Sequence, residues 1–514
     1  MQHPLNVSSA QAAGRDCRAG SGFALSGEEK SAMMEQMTME ANMMRKTKII
    51  CTLGPATDDE KVLRQLCLGG MNVARMNFSH GDHDSHLVRL NMLQELREEL
   101  GLPIAAMCDT KGPEIRTGLF EGGSAVLEVG GTFTLYRSER LGDAGGCSTT
   151  YEKLGDIVHP GSKICIDDGL IELIVQEIRE GDVVCSVANG GTVRDRKGIN
   201  LPGTPVDLPF LSRQDRNDIL FAAENGFDFI AASFTRSAQD VLDIRELLDQ
   251  VGAKGVEIIA KIENQQGIDN IDEIIAAADG VMVARGDLGV EVPSYQVPLL
   301  QKEIVTKCRQ AGKNVIIATQ MLDSMMRNPR PTRAEVNDVA QAVFDGASAV
   351  MLSGETASGK YPVEALGTMA SIAAHVEENI DYWKAFRKLE ISHSGNIGVA
   401  ISRACCTTAM ELDAKAIVTV TQRGITAKAV SRFQPGCPVL ALTVDERTRR
   451  LLALVWGVES ALVPVVDSTD KLLNLARSQA WDLNYVEEND IAVVTAGIPV
   501  GISGSTNLIK VLRF

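Results

Sequence analysis

The sequence predicts an α/β protein: a (β/α)8 TIM-type barrel, a small β-rich domain inserted after its third strand, and a carboxyl-terminal α/β domain. Three observations predict it. From Thr47 onward eight short apolar runs alternate with amphipathic stretches, the rhythm of right-handed β–α–β units, and eight is the number that closes a barrel. After the third run the rhythm stops from about Gly112 to Val206, a segment rich in Gly, Val, Thr and Ile. A fresh strand–helix alternation then begins near Ser394. The alternation alone leaves a doubly wound open sheet as the other fold.

Residues 1–44 are rich in Ser, Ala, Gly and Met and lack sustained periodicity before Met33–Met44. Arg15 and Arg18, with few acids before Glu28, faintly resemble a transit peptide, but a disordered tail fits the composition better. The barrel is expected over 45–112 and 207–385. Its strand candidates are Ile49–Leu53, Asn72–Met76, Ile104–Cys108, Phe227–Ala232, Glu257–Ile262, Gly280–Ala284, Asn314–Ala318 and Ser348–Leu352. Each is mainly apolar, as strands covered on both faces must be. Helical periodicity fills the gaps, for example Asp58–Leu68, Gln214–Glu224, Ile268–Ala278 and Pro331–Asp345. The interruption at 113–206 is too long for a structureless loop, so it reads as a β-barrel-like lid domain over the barrel mouth. Residues 390–514 form the third domain, with strands near Ala416–Val420, Val439–Thr443 and Ile491–Thr495.

The charge balance, 51 basic against 67 acidic residues, argues against nucleic acid or an anionic membrane as partner, because both need a basic field. Any anionic ligand must be held by local cations. Eleven cysteines contain no C-x-x-C pair, which predicts reduced thiols and a cytoplasmic protein. The longest apolar stretch, Leu451–Val466, is broken by Gly457, Glu459 and Pro464, so no membrane span is expected.

The chemistry sits where the strands end. Ile258–Ile262 runs into Lys261, Glu263 and Asn264, and Val281–Ala284 runs into Arg285, Gly286 and Asp287. Two carboxylates and an ammonium at one mouth suit a divalent cation holding a phosphorylated or enolic ligand, since oxygen donors favour Mg²⁺ and the lysine opposes developing negative charge. The other ends add Gly54–Pro55; Asn77 and Ser79 after Arg75; Asp109, Thr110 and Lys111; Ser233; Thr319 and Gln320; and Ser353, Gly354 and Glu355. One or two polar residues after strands is chance; a complementary set at nearly all eight is an active face.

The segments M-N-F-S-H-G (76–81), D-T-K-G-P-E-I-R-T-G (109–118), K-I-E-N (261–264), A-R-G-D-L-G (284–289), A-T-Q-M-L-D-S-M (318–325), P-R-P-T-R-A-E (329–335) and M-L-S-G-E-T-A (351–357) together resemble the pyruvate kinase family. The resemblance covers about Arg45 to Phe514 and is most specific in the barrel. It implies a Mg²⁺- or Mn²⁺- and K⁺-dependent phosphotransferase that moves the phosphoryl group of phosphoenolpyruvate to ADP, giving pyruvate and ATP in the last step of glycolysis. It also implies a homotetramer. Carried onto this chain, it makes Glu263 and Asp287 the Mg²⁺ ligands and Lys261 and Arg75 the cations at the moving phosphoryl. Gly286, Asp287 and Thr319 cradle the substrate carboxylate, with Thr319 near the face on which the enolate is protonated through water. Asn77, Ser79, Asp109 and Thr110 match the K⁺ site, and Glu114 marks the K⁺-dependent branch of the family, whose other branch carries Lys there. Pro55, Asn77, His80, Arg116 and Lys197 match the nucleotide side.

Thr421, Gln422, Arg423, Gly424 and Thr426 form a strand-to-helix turn suited to a phosphate, where related enzymes bind a sugar-phosphate or nucleotide effector. Relatives usually carry Ser in place of Arg423. The glycine-rich loop Gly497–Thr506 is positioned to close over such a ligand; an ordinary capped helix beside a flexible turn is the other reading. His80, Asp82, His83, Asp84 and His86 look like metal ligands, but their spacing at a turn entering a helix turns them to different sides. Two other functions remain open from sequence: a metal-dependent aldolase or lyase working through a pyruvate enolate, and a noncatalytic relative. Lys261, the nucleotide side and the lid weigh against the first, and the complete set of polar groups against the second.

Overall fold

The computed structural model describes residues 45–391, 395–501 and 504–514; the tail expected over 1–44, with its Met33–Met44 run, lies outside them. Eight parallel strands close into a barrel in chain order: Lys48–Thr52, Val73–Asn77, Ala105–Asp109, Phe229–Ala232, Glu257–Ile262, Gly280–Ala284, Asn314–Ala318 and Ala349–Leu352. The eighth pairs with the first, Lys48 opposite Ala349. Side-chain alternation divides every strand between two cores. Ile50, Val73, Met107, Phe229, Ile259, Met282, Ile316 and Met351 fill the interior. Ile49, Ala74, Ile258, Val281, Val315 and Val350 face the helices. Ile259, Lys261 and Glu263 therefore share the inward face of strand five, and the last two emerge above the packed interior.

Several element ends shift by one or two residues from expectation, and two of the differences have local reasons. Strand four begins at Phe229 rather than Phe227, because Asp228 turns its carboxylate onto the Ala106 amide, 3.0 Å away. The helical run at 268–278 breaks at Asn270 into Gln265–Asp269 and Ile271–Ala277, where Asn270 Nδ2 donates to Arg236 O at 2.8 Å.

Between strands three and four lies a seven-stranded, mostly antiparallel sheet with its own core around Phe133, Leu135, Ile164, Leu173, Val183 and Cys185. Its longest pair joins Ile171–Arg179 to Asp182–Asn189. The chain leaves the barrel at Gly112, whose φ of 76° is left-handed and whose missing Cβ would lie 2.9 Å from Ser233 Cβ. It returns past Val206 and Leu208, whose carbonyls both accept from Arg236 at 3.0 Å.

The final domain is a five-stranded sheet, in order Val458–Leu462, Val439–Thr443, Ala416–Val420, Ile491–Gly497 and Thr506–Arg513, the last antiparallel. The two strands unmarked in the sequence are its edges, where solvent on one side admits Glu459, Asn507 and Lys510 and breaks up the apolar run. The connecting helix Tyr382–Lys388 gives Phe386 to this domain's core. Leu454 reaches from the final domain into the barrel interior, and buried Lys48 pairs with Glu459 at 2.6 Å, so this domain closes the end of the barrel opposite the strand ends. Among the described residues, no helix is long and apolar enough to cross a membrane.

Candidate functional site

Lys261 is the hub of the mouth. Its Nζ lies 2.6 Å from Ser233 Oγ, 3.0 Å from Asp109 Oδ1 and 3.0 Å from Glu263 Oε1, bringing strands three, four and five to one point. Arg75 donates from Nε to Asp109 Oδ2 at 2.5 Å and from Nη1 to Thr52 Oγ1 at 2.8 Å, adding strands one and two. The other oxygen of Glu263 accepts from the Phe234 amide at 2.6 Å. That bond exists because Phe234 turns left-handed, φ 55°, directly after strand four.

Strands six and seven meet in the same way. The Arg285 guanidinium forks onto Asp338, each oxygen 2.6 Å away, and donates to Thr319 O at 2.9 Å. This pins the first residue of the short helix Arg285–Glu291. Gly286 N–H then points at Thr319 Oγ1, 2.8 Å away. Thr319 and Gln320 are both left-handed, φ 67° and 54°; for β-branched Thr319 that conformation costs roughly 1–3 kcal/mol and recurs where function requires it.

Burial and charge set the electrostatics. Burial alone would lower the Lys261 ammonium, but Asp109 and Glu263 outweigh it and hold its pKa above that of ordinary lysine. Burial would raise Asp109, yet Arg75 and Lys261 together hold it below the usual carboxylate range. Glu263 and Asp287 go the other way: burial raises both, and although Lys261 favours their charged forms, neighbouring carboxylates oppose it, Asp287 acting on Glu263 and Asp168 on Asp287. Two desolvated carboxylates side by side above one lysine are an incomplete charge set. A hard cation bound by oxygen would complete it.

These groups line one cavity of about 790 Å³, together with Pro55, Arg75, Asn77, Ser79, His80, Glu114, Arg116 and Thr319. Asp109 and Thr110 lie beneath its floor, 1% and 3% exposed. Both Asp109 oxygens are engaged, Thr110 O accepts from Ser233 Oγ at 2.6 Å, and Asn77 Oδ1 accepts from Ser79 N at 3.0 Å. Glu114 pairs with Arg116 at 2.7 Å, while Lys197 Nζ is held 2.8 Å from Asp167 Oδ1 in the lid. Thr52, Asp168 and Asp338 join this cluster without having been picked out from the sequence, while Ser233 and Arg285 had been named only as strand-end polar groups, with no role assigned. Asp168 had a signal, the turn Asp167-Asp168-Gly169; all three residues are left-handed, and Asp168 lines the same cavity.

The pyruvate kinase barrel-domain family model matches residues 44–366, and the pyruvate kinase alpha/beta-domain model matches 399–512. The chain belongs to the pyruvate kinase family. A pyruvate kinase of Clostridium perfringens is 48% identical over 91% of this chain and 99% of its own length. One from Geobacillus stearothermophilus is 50% identical over 91% of this chain and 80% of its own. The crystal structure of a pyruvate kinase from Cryptosporidium parvum superposes with a TM-score of 0.87 at 38% identity, covering 92% of this chain and 97% of that one. The protein is therefore a phosphotransferase, a pyruvate kinase transferring phosphoryl from phosphoenolpyruvate to ADP.

In the final domain Thr421, Gln422 and Thr426 line a cleft of about 80 Å³ with Gly497, Val500, Gly501, Gly504, Ser505 and Thr506; Arg423 is exposed, and left-handed Gly424 caps the helix Ile425–Ser431. The histidine cluster packs as aromatic rings: His86 stacks on Phe78 and His83 on Phe221, both at 4.2 Å between centroids. Among the described residues no group of three or more histidine, cysteine and acid side chains is arranged to hold a metal ion.

Proposed function

We propose that phosphoryl transfer takes place at the Lys261 hub, with the phosphoryl group between Lys261 and Arg75 and the substrate carboxylate at Gly286, Asp287 and Thr319. The carrying observation is the Lys261 ammonium, buried and fixed by Asp109, Ser233 and Glu263 beside Asp287. Phosphoryl transfer needs positioning and charge neutralisation rather than covalent help, and a lysine that cannot swing away supplies both. Arg75, braced by Asp109 and Thr52, adds a second fixed positive charge. Gly286 N–H, which donates to Thr319 Oγ1, would turn from that hydroxyl to the substrate carboxylate at the helix start. Thr319 stands at the mouth of strand seven, where its hydroxyl can order the water that protonates the remaining enolate.

Glu263 and Asp287 would hold Mg²⁺ or Mn²⁺, which when bound neutralises phosphate charge. Asn77, Ser79, Asp109 and Thr110 would hold K⁺. Pro55, Asn77, His80, Arg116 and Lys197 would face ADP, the last two carried by the lid. Pyruvate formation followed with and without ADP tests the site together with Lys261→Met: pyruvate formed without ADP would favour a lyase. The Glu114 assignment predicts activity dependent on K⁺, and Glu114→Lys should weaken that dependence in a K⁺ titration.

The Thr421–Thr426 turn and its cleft are proposed to take a sugar-phosphate or nucleotide effector; fructose bisphosphate, ribose 5-phosphate and AMP, added separately to saturation assays, test it by shifting the curve. Self-association into a tetramer is supported by exposed Tyr295, Leu299 and Phe344 on the barrel and by the open edge strand Thr506–Arg513, and light scattering on the purified chain measures it.

A further inference from the structure

The lid touches the barrel at a place that none of these roles uses. Asn200, at the end of the lid strand Gly198–Asn200, donates from Nδ2 to Glu291 Oε1 at 3.2 Å. Glu291 is the last residue of the helix Arg285–Glu291, whose first turn carries Gly286 and Asp287. A second lid element reaches the same helix end: a Cβ on Gly169 would lie 3.6 Å from Val290 Cγ1. The helix is thus held at its start by the Arg285–Asp338 fork and at its end by the lid.

The lid side of this contact is equally placed. Asn200 lies three residues after Lys197 on one continuous segment, and its strand pairs with Ile115–Arg116, Gly198 opposite Arg116. Both nucleotide-side cations are therefore one short, hydrogen-bonded step from Asn200. Burial raises the Glu291 carboxyl, and the hydrogen bond from the Asn200 amide opposes that rise.

We propose that Asn200 and Glu291 form a latch that sets the lid's working position, with Glu291 a positioning residue for phosphoryl transfer. The latch fixes the distance between the lid cations Arg116 and Lys197 and the helix presenting Gly286 and Asp287. It transmits position through the seven-residue helix Arg285–Glu291, which joins the two ends. Neither latch residue touches the reacting groups. Losing the latch leaves the substrate carboxylate site intact but lets the nucleotide side drift, and displacements near 1 Å cost heavily in near-attack geometry. The proposal rests on placing phosphoenolpyruvate at Gly286 and Asp287 and ADP at Arg116 and Lys197.

The test exchanges donor and acceptor across the seam. Glu291→Ala and Asn200→Ala each remove the bond, Asn200→Asp sets two carboxylates against each other, and Asn200→Asp with Glu291→Gln restores it with roles reversed. Steady-state kinetics in both substrates and thermal melts are measured on the full-length enzyme. Expected are losses of about tenfold in kcat/KM for ADP in the single variants, with KM for phosphoenolpyruvate within about twofold of the parent, the largest loss in Asn200→Asp, and substantial recovery in the double variant. If Glu291→Ala does not fold, Asn200→Asp and its rescue still decide, because Asn200 lies on the lid. The latch is overturned if the single variants match the parent, if the double variant is no better than Asn200→Asp, or if activity falls only in step with melting temperature. Lys261→Met run alongside separates the two readings: retained activity there removes the site assignment itself, whereas an inactive Lys261→Met with unresponsive latch variants removes only the latch.

Discussion

At the scale of single residues, the site depends on a lysine that is charged because it is surrounded rather than because it is exposed. Lys261 is 8% exposed, and burial alone would favour its neutral form; Asp109 and Glu263 reverse the balance. Replacing it by methionine keeps the volume and removes the charge, so kcat should fall by about a thousandfold or more while KM for ADP changes little. Coupled assays on protein shown to be folded by circular dichroism check this. The sequence displayed Lys261, Glu263 and Asp287 openly, since each breaks an apolar run. Ser233 stood out only as a polar strand end, and Thr52, inside the first apolar run, not at all. Their function lies in donating or accepting one bond to a neighbour from another strand, and which neighbour that is depends on barrel closure.

At the scale of elements, strand ends are held by carboxylates that tie one loop to the next helix. Glu335 is the fullest case: it accepts from Ser324 N and Oγ at 2.7 and 2.6 Å and from Thr332 N and Oγ1 at 2.7 and 2.9 Å. This joins the turn after strand seven to the capping box of the helix Arg333–Asp345. Burial pushes Glu335 upward, but these four donors outweigh it, so its pKa lies below the ordinary glutamate value. A carboxyl depressed by folding contributes stability above its unfolded pKa and loses it as pH falls through the folded one. Glu335→Gln should therefore lower the melting temperature most at neutral pH, with the gap to the parent closing as pH is lowered through the carboxylate range. Thermal melts across that range measure it. Thr332 and Glu335 stand at capping-box spacing, a signal the expected helix Pro331–Asp345 did not use, and the bonds to Ser324 had no signal in the sequence.

At the scale of the whole molecule, three cores are joined by charged seams. The final domain docks under the barrel through Lys48 and Glu459, through Lys428 and Glu257 at the foot of the fifth barrel strand, and through Arg450, whose Nε lies 3.0 and 3.2 Å from the oxygens of Asp228. Asp228 is fully buried; burial raises its pKa, and Arg450 with the Ala106 amide limits the rise. A carboxyl raised by folding favours the fold below its unfolded pKa and loses that advantage as pH rises through the folded one. Arg450→Ala leaves this charge unpaired, so it should destabilise by about 3–5 kcal/mol near neutrality and by less at acidic pH, where Asp228 takes up a proton. Calorimetry at two pH values tests both the size and the sign. What the sequence determined by itself was local: eight apolar runs ending in charge, the long break after the third, and the turn chemistry between them, because periodicity and burial are written residue by residue. What only the tertiary structure decided was which charges meet. Lys261 with Asp109 and Ser233, Arg285 with Asp338, and Asn200 with Glu291 are separated by between 28 and 152 residues in the chain. Closing the barrel and seating the lid bring them together, and spacing along the sequence carries no record of it.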